Sequence, residues 1–398
     1  MIKKILKKTA KNKYEALTGG EATAVAMRQI NPDVVAAYPI TPQTPIIETF
    51  AKFVADGTVD TELIDVESEH SALSAVVGAS ASGVRAMTAT SSQGLALMAE
   101  IVYVASGSRL PIVMAVSNRA LSAPINIHCD HTDSMFLRDA GWAQIYSEDA
   151  QEAYDNTLIS LKVAEDKKVM LPVMVMQDGF ITSHNVENVV ILDDKKAKSY
   201  VGKYEAEFPL LDFDKPVTVG PLDLFDYFFE HKYQQAQAME EAKKALKAAD
   251  QEFFKLTGRR YGFLEEYKTR DADFVIVALS STCGTAKMVV DDMRKRGKKV
   301  GLLKIRLMRP FPEKEIVKAL EGKKAVAVLD RSISFGSTSP VFTEVRSALY
   351  SLKKRPKLQN YVYGLGGRNI GLKDIEKVYE ELMKGKTSDD VRYIGVRK

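Results

Sequence analysis

The sequence predicts an α/β protein made of two consecutive parallel-sheet units. Three observations carry this expectation. Short β-rich apolar runs alternate with Ala-rich, helix-like stretches through the first half of the chain. Those runs lack polar–apolar alternation, so they should be buried on both faces, as in parallel sheets covered by helices. The same alternation resumes at Asp273, after a stretch of different texture.

In the first unit, strand-like runs lie at 34–38, 63–66, 85–90, 111–116 and 172–176. Helix-like stretches fall at 21–30, 45–55, 69–83, 94–106 and 150–165. Gly78 and Gly83, set among alanines, point to a helix packed tightly on its neighbours. From 191 to 270 the texture changes. Pro, Asp and Lys cluster between 193 and 221, and a long charged amphipathic stretch follows at 228–256, with Gly258 as its expected stop. Tyr227, Phe228, Phe229 and Tyr233 at its start suit either core packing or a subunit contact. The second unit reads as strands at 274–279, 300–305, 325–329 and 361–363, with helices at 285–295, 313–320, 340–352 and 375–383. The expected division is 1–190, a connector at 191–270, and 271–398.

Composition narrows the function. The 398 residues are 45% hydrophobic and 27% charged, and 56 Lys and Arg nearly balance 52 Asp and Glu. A net charge of +4 creates no bulk field that favours nucleic acid. The first 13 residues carry six lysines without the apolar centre of a signal peptide, and read as a solvated basic arm. No apolar run approaches the roughly 20 residues that span a bilayer, so a cytoplasmic location is expected. Two cysteines, Cys129 and Cys283, exclude a disulfide scaffold. A cubane iron–sulfur cluster normally takes about four thiolates, so any such cluster must sit on other chains. The five histidines show no zinc spacing.

In open parallel sheets, working groups gather beyond the carboxyl ends of strands. Four such edges of the first unit are polar. Tyr38-Pro39-Ile40-Thr41-Pro42 fixes one hydroxyl between prolines; Thr41 there can hydrogen-bond a small ligand or cap the next helix. Glu67-Ser68-Glu69-His70 sets two carboxylates across a strand-to-helix junction. Glu69 can complement the helix dipole or serve in hydrogen bonding and proton transfer. Thr90-Ser91-Ser92-Gln93-Gly94 can aim backbone amides at a ligand, or be a simple capped turn. Ser117-Asn118-Arg119 places a guanidinium where it can grip a carboxylate in bidentate fashion, or make a surface ion pair. His128, Asp130, His131 and Asp133 share one loop, but no helix or strand geometry supports a metal site, and none is expected. Dinucleotide, phosphate-loop and hydrolase-elbow fingerprints are missing, and Gly364-Leu365-Gly366-Gly367 reads as a turn.

Taken in order on successive strand ends, Tyr-Pro-Ile-Thr-Pro, Glu-Ser-Glu-His, Thr-Ser-Ser-Gln-Gly-Leu-Ala-Leu-Met and Ser-Asn-Arg resemble the alpha subunit of pyruvate:ferredoxin oxidoreductase and its 2-oxoacid relatives. The resemblance covers most of the chain. It implies a thiamine-diphosphate-binding, pyrimidine-type domain followed by an α/β domain like the C-terminal domain of the transketolase group. It also implies roles. Glu69 matches the glutamate that hydrogen-bonds the pyrimidine nitrogen and favours the tautomer that removes the thiazolium C2 proton. Thr41 matches the threonine beside the 2-oxoacid, and Arg119 the arginine that pairs with its carboxylate. Pro39 and Ser92 belong to the implied cofactor-binding edges.

One departure is informative. Thiamine enzymes hold the diphosphate and Mg2+ with a Gly-Asp-Gly run followed by an Asn. Here Asp178-Gly179 follows a Gln, and no suitable Asn pair lies downstream. The resemblance thus implies a cofactor shared with a partner subunit that brings the diphosphate half and Mg2+. Iron–sulfur clusters would sit on partners within a set of beta-, gamma- and delta-type subunits. The implied reaction takes a 2-oxoacid, coenzyme A and oxidised ferredoxin to acyl-CoA, carbon dioxide and reduced ferredoxin. Pyruvate is the expected oxoacid. Branched-chain and 2-oxoglutarate relatives share much of the pattern, and a scaffold subunit or a ferredoxin-independent thiamine enzyme are the competing readings.

Overall fold

A computed structural model describes residues 13–397. The expected basic arm lies outside the described residues, except for Lys13, which opens the first strand. In chain order, the first part contains β1 (Lys13–Thr18), α1 (Gly19–Ile30), β2 (Val34–Ala37), α2 (Thr44–Ala55), β3 (Glu62–Asp65), α3 (Glu69–Ala81), β4 (Ala86–Thr90), α4 (Ser92–Leu97), α5 (Ala99–Gly107), β5 (Val113–Asn118), α6 (Thr132–Phe136), β6 (Ala143–Tyr146), α7 (Ala150–Ala164), β7 (Val173–Asp178) and β8 (Val186–Ile191). Two helices follow, α8 (Asp194–Val201) and α9 (Phe228–Thr257). The last part contains β9 (Leu264–Tyr267), β10 (Phe274–Ala278), α10 (Thr282–Lys295), β11 (Val300–Ile305), β12 (Leu307–Arg309), α11 (Glu313–Leu320), β13 (Ala325–Asp330), α12 (Pro340–Ala348), β14 (Lys357–Val362), α13 (Leu372–Met383) and β15 (Arg392–Tyr393).

Two parallel sheets form as the apolar runs predict. The first runs β12-β6-β7-β5-β4-β2-β3 and the second β15-β14-β13-β10-β11-β9. Every residue of β4, β5, β7, β11 and β13 is buried, which is why these strands show no alternation. The antiparallel pairs sit at the margins: β12 on β6, β9 on β11, and a separate ribbon of β1 on β8. β12 crosses from the second half of the chain to extend the first sheet, so the two units share a hydrogen-bonded edge. They also share an apolar cluster that runs from Met174 and Met176 to Val275, Leu303 and Val328.

Local signals set the element ends. Thr18 and Glu21 close a capping box on α1. Gly258, at φ 76°, ends α9 as expected. Ala238, Ala242, Leu246, Ala249 and Phe253 form a buried stripe at helical spacing, and it joins the core of the first unit. The connector helix is therefore part of that unit's wall. By contrast, Phe228, Phe229 and Tyr233 at its start are exposed. The stretch expected as one helix at 94–106 is two, α4 and α5, meeting at Met98. Among the described residues, no helix is long and apolar enough to cross a membrane.

Candidate functional site

The carboxyl ends of β2, β3, β4 and β5 lie side by side along one sheet edge, and the four polar motifs sit there. Glu69 is the first residue of α3 and is 8% exposed. Ser68 is the cap: its hydroxyl accepts the Ser71 amide. Glu69 is thus released from capping, and its carboxylate has no hydrogen-bond or ion-pair partner among the described residues. The other carboxylate of the motif, Glu67, is exposed and bonded to Ser71 Oγ, which holds it below the ordinary range. His70 is exposed beside Glu100 at 3.5 Å.

What leaves room for the Glu69 carboxylate is Gly94. A Cβ there would lie 2.7 Å from Glu69 Oε1 and 2.5 Å from Thr90 Oγ1. Thr90 Oγ1 and Ser91 Oγ are themselves fully buried without partners. The Glu69 carboxylate is thus buried without a partner, and the Thr90 hydroxyl beside Gly94 is unsatisfied as well, which is unusual for interior polar groups. The hydroxyls of Thr90 and Ser91 were not singled out from sequence, because only burial distinguishes them from ordinary turn residues.

Thr41 lies in the loop after β2 and is exposed; the helix cap position belongs to Gln43. Its carbonyl oxygen accepts from Arg119 Nη1 at 2.9 Å. Arg119, 7% exposed, also donates Nε to the Asn126 carbonyl at 3.0 Å. Its Nη2 has no partner among the described residues. Burial lowers the Arg119 pKa somewhat, and the guanidinium makes no surface ion pair. Pro39 is exposed at the start of the Thr41 loop.

The structure gives Ser92 a different place from the crevice. Its hydroxyl lies 2.5 Å from the Ala120 carbonyl and 2.6 Å from Gln93 Oε1, and its backbone amide donates to Asp133 Oδ2 at 3.0 Å. The same Oδ2 accepts the Arg119 amide at 3.0 Å, while Oδ1 accepts from Asn118 Nδ2 at 2.7 Å and the Ser134 amide at 2.8 Å. Asp133 therefore ties two of the strand-end loops together. Burial pushes its carboxyl up to about 6, against the pull of these donors.

The loop from His128 to Asp133 disperses rather than converging. His128 stacks on Phe180 at 5.1 Å, and Asp130 accepts the Thr132 and Gly366 amides. His131 Nε2 meets Asp178 Oδ1 at 2.7 Å. Asp178 Oδ2 takes Arg331 Nη1 at 2.8 Å and the Ser281 hydroxyl. Burial alone would raise the Asp178 carboxyl, but the charges of His131 and Arg331 hold it well below the usual range. Cys129, His131 and Asp178 offer atoms within 4.8 Å of one another. Arg331 neutralises this cluster from within, and burial pushes the Cys129 thiol well up, so the set is an ion-paired anchor between the two units. A cavity of about 920 Å³ opens between α5, α9 and the 204–223 segment, and none of the strand-end residues lines it.

Residues 25–251 match the family described as pyruvate flavodoxin/ferredoxin oxidoreductase, thiamine diphosphate-binding, and residues 272–375 match pyruvate:ferredoxin oxidoreductase core domain II. The chain is 58% identical over 384 residues to pyruvate synthase subunit PorA of Thermotoga maritima, across 96% of this chain and 98% of that one. Its fold is similar to that of a 2-oxoglutarate:ferredoxin oxidoreductase from Magnetococcus marinus, with a TM-score of 0.70 and 19% identity over 95% of this chain and 68% of that one. A split-gene transketolase shares the fold at a TM-score of 0.56 and 11% identity, over 94% of this chain and all of that one.

Proposed function

The chain belongs to the pyruvate flavodoxin/ferredoxin oxidoreductase family, and from that premise we propose that Glu69, Thr41 and Arg119 are its working residues, at a cofactor site that a partner subunit completes. It is a subunit of a pyruvate synthase, the multi-subunit enzyme that oxidatively decarboxylates pyruvate with coenzyme A. It carries the thiamine-diphosphate-binding domain. When bound, thiamine diphosphate supplies the nucleophilic carbon and the electron sink for decarboxylation.

The open carboxylate of Glu69 carries the assignment. With room left for it by Gly94, the Glu69 carboxylate would hydrogen-bond the pyrimidine ring of the bound cofactor, whose aminopyrimidine would then serve as base. The buried hydroxyls of Thr90 and Ser91 stand ready as further partners. Arg119 would pair with the carboxylate of the oxoacid, and its bond to the Thr41 carbonyl ties the Thr41 loop to the same place. Because decarboxylation releases that carboxylate, the clamp orients the substrate more than it drives the bond breaking. Pro39 shapes the wall beside Thr41, and Ser92 acts through the Asp133 network. Both oxygens of Asp178 are committed to His131, Arg331 and Ser281, which supports placing the diphosphate and Mg2+ on a partner subunit. Cys129 and Cys283 are buried, with thiols raised by burial. Iron–sulfur clusters, and the passage of electrons to ferredoxin, are accordingly assigned to partner subunits of the beta, gamma and delta type.

The test is Glu69→Gln in the assembled complex, read as pyruvate-dependent viologen reduction. Turnover should fall by roughly 10²–10⁴, with assembly and melting temperature unchanged. Near-normal turnover would remove Glu69 from the mechanism.

A further inference from the structure

The loop that carries Arg119 is fastened from the other half of the molecule. Residues 122–125 are exposed, with Ile125 at 78%, so apolar burial does little to fix them. Polar ties do the fastening. Asn126 Nδ2 donates to the Gly366 carbonyl at 3.1 Å, and Asn126 Oδ1 accepts the His128 amide at 2.7 Å. The Gly366 amide donates to Asp130 Oδ2 at 3.2 Å, and the Gly367 amide to the Cys129 carbonyl at 2.7 Å. This turn takes left-handed backbone, with φ of 58° at Gly366 and 78° at Gly367. Side chains are excluded as well: a Cβ at Gly366 would lie 2.5 Å from Asn126 Nδ2, and one at Gly367 2.3 Å from the His128 Cβ. The Asn126 carbonyl is the group that accepts Arg119 Nε.

We infer that Asn126 and the Gly364–Gly367 turn are a positioning device of the second unit that presets the Arg119 guanidinium for the oxoacid carboxylate. The inference rests on the reading of Arg119 as the substrate clamp. Side-chain freedom is the physical reason. An unrestrained arginine loses rotamer entropy when it is fixed, and a scaffold that fixes it beforehand lowers that loss on substrate binding. The chain of bonds from Gly366 O through Asn126 to Arg119, and on to the Thr41 carbonyl, does this across 240 residues of sequence.

The experiment uses the assembled complex and separate KM values for pyruvate and coenzyme A. Asn126→Asp keeps the acceptor for His128 but loses the donor to Gly366. It should raise the pyruvate KM about five- to tenfold, with kcat and the coenzyme A KM within about twofold. Gly366→Ala should do the same from the other unit, and the double variant should be no worse than the single ones. Arg119→Ala is the reference. If it raises the pyruvate KM while Asn126→Asp leaves it unchanged, the positioning role is overturned and the clamp stands. If Arg119→Ala leaves the KM unchanged, the clamp reading fails and the inference fails with it. Should Gly366→Ala not assemble, Asn126→Asp decides alone.

Discussion

At the strand-end crevice and at the seam between the two units, buried charge is treated in opposite ways. In the seam, each charged group faces an opposite one, although Arg331 Nε is left without a partner among the described residues. Asp178 holds His131, Arg331 and Ser281. Lys304, almost fully buried, holds Glu148 and Glu152 at 2.6 Å each, with Glu265 at 3.2 Å. Arg306 holds Asp250 and Asn156. In the crevice, the Glu69 carboxylate, Arg119 Nη2 and the Thr90 and Ser91 hydroxyls have no partner among the described residues. Burying an unpaired polar group is costly unless something completes it. Paired charge in this fold therefore marks architecture, and the Glu69 carboxylate, left without a charged partner, marks the candidate site.

The largest effect should come from breaking the seam. Replacing Arg331 with Met leaves the Asp178 carboxylate under-compensated in a dry interface. We expect a loss of about 3–5 kcal/mol in stability by denaturant unfolding. A loss under about 1 kcal/mol would mean the seam is not the joint between the units. Asp133 gives a pH signature. Its folded carboxyl titrates at about 6, above its ordinary 3.8. Between about pH 4 and 6 the folded chain keeps a proton that the unfolded chain has lost. Stability should fall as pH rises through that window, by on the order of 3 kcal/mol in all. The penalty is complete above pH 6 and absent well below 4. Asp133→Asn should flatten that slope, and an unchanged slope would assign it to other groups. Smallest in energy is Gly94→Ala, whose added methyl group would displace the Glu69 carboxylate. Turnover should drop about tenfold or more, roughly 1.4 kcal/mol in barrier, with some loss of stability from the 2.5 Å approach to the buried Thr90 Oγ1. Full activity would show that the niche tolerates a displaced carboxylate.

The two regions were also unequally legible in the sequence. Strands such as β5, β7 and β13 announce themselves, because burial on both faces requires unbroken apolar runs. The strands that sequence reasoning missed, β1, β6, β8, β9, β12 and β15, are short or lie at margins, and mostly pair with distant segments. Glu69, Thr41 and Arg119 stand out because strand-end motifs are local. The seam does not, since Asp178 and Arg331 are 153 residues apart. Asp133 looked like one member of a loose metal set because its real partners are three backbone amides and the Asn118 side chain, and the amides carry no sequence signature. Ser92 was expected at the cofactor edge, but its hydroxyl turns inward to Ala120.

The claim that Glu69 controls the cofactor can be measured without turnover, as hydrogen–deuterium exchange at C2 of thiamine diphosphate bound to the assembled complex. In the native enzyme exchange should be fast, and in Glu69→Gln it should slow by at least about a hundredfold with the cofactor still bound. Equal exchange rates in the two proteins would contradict the account.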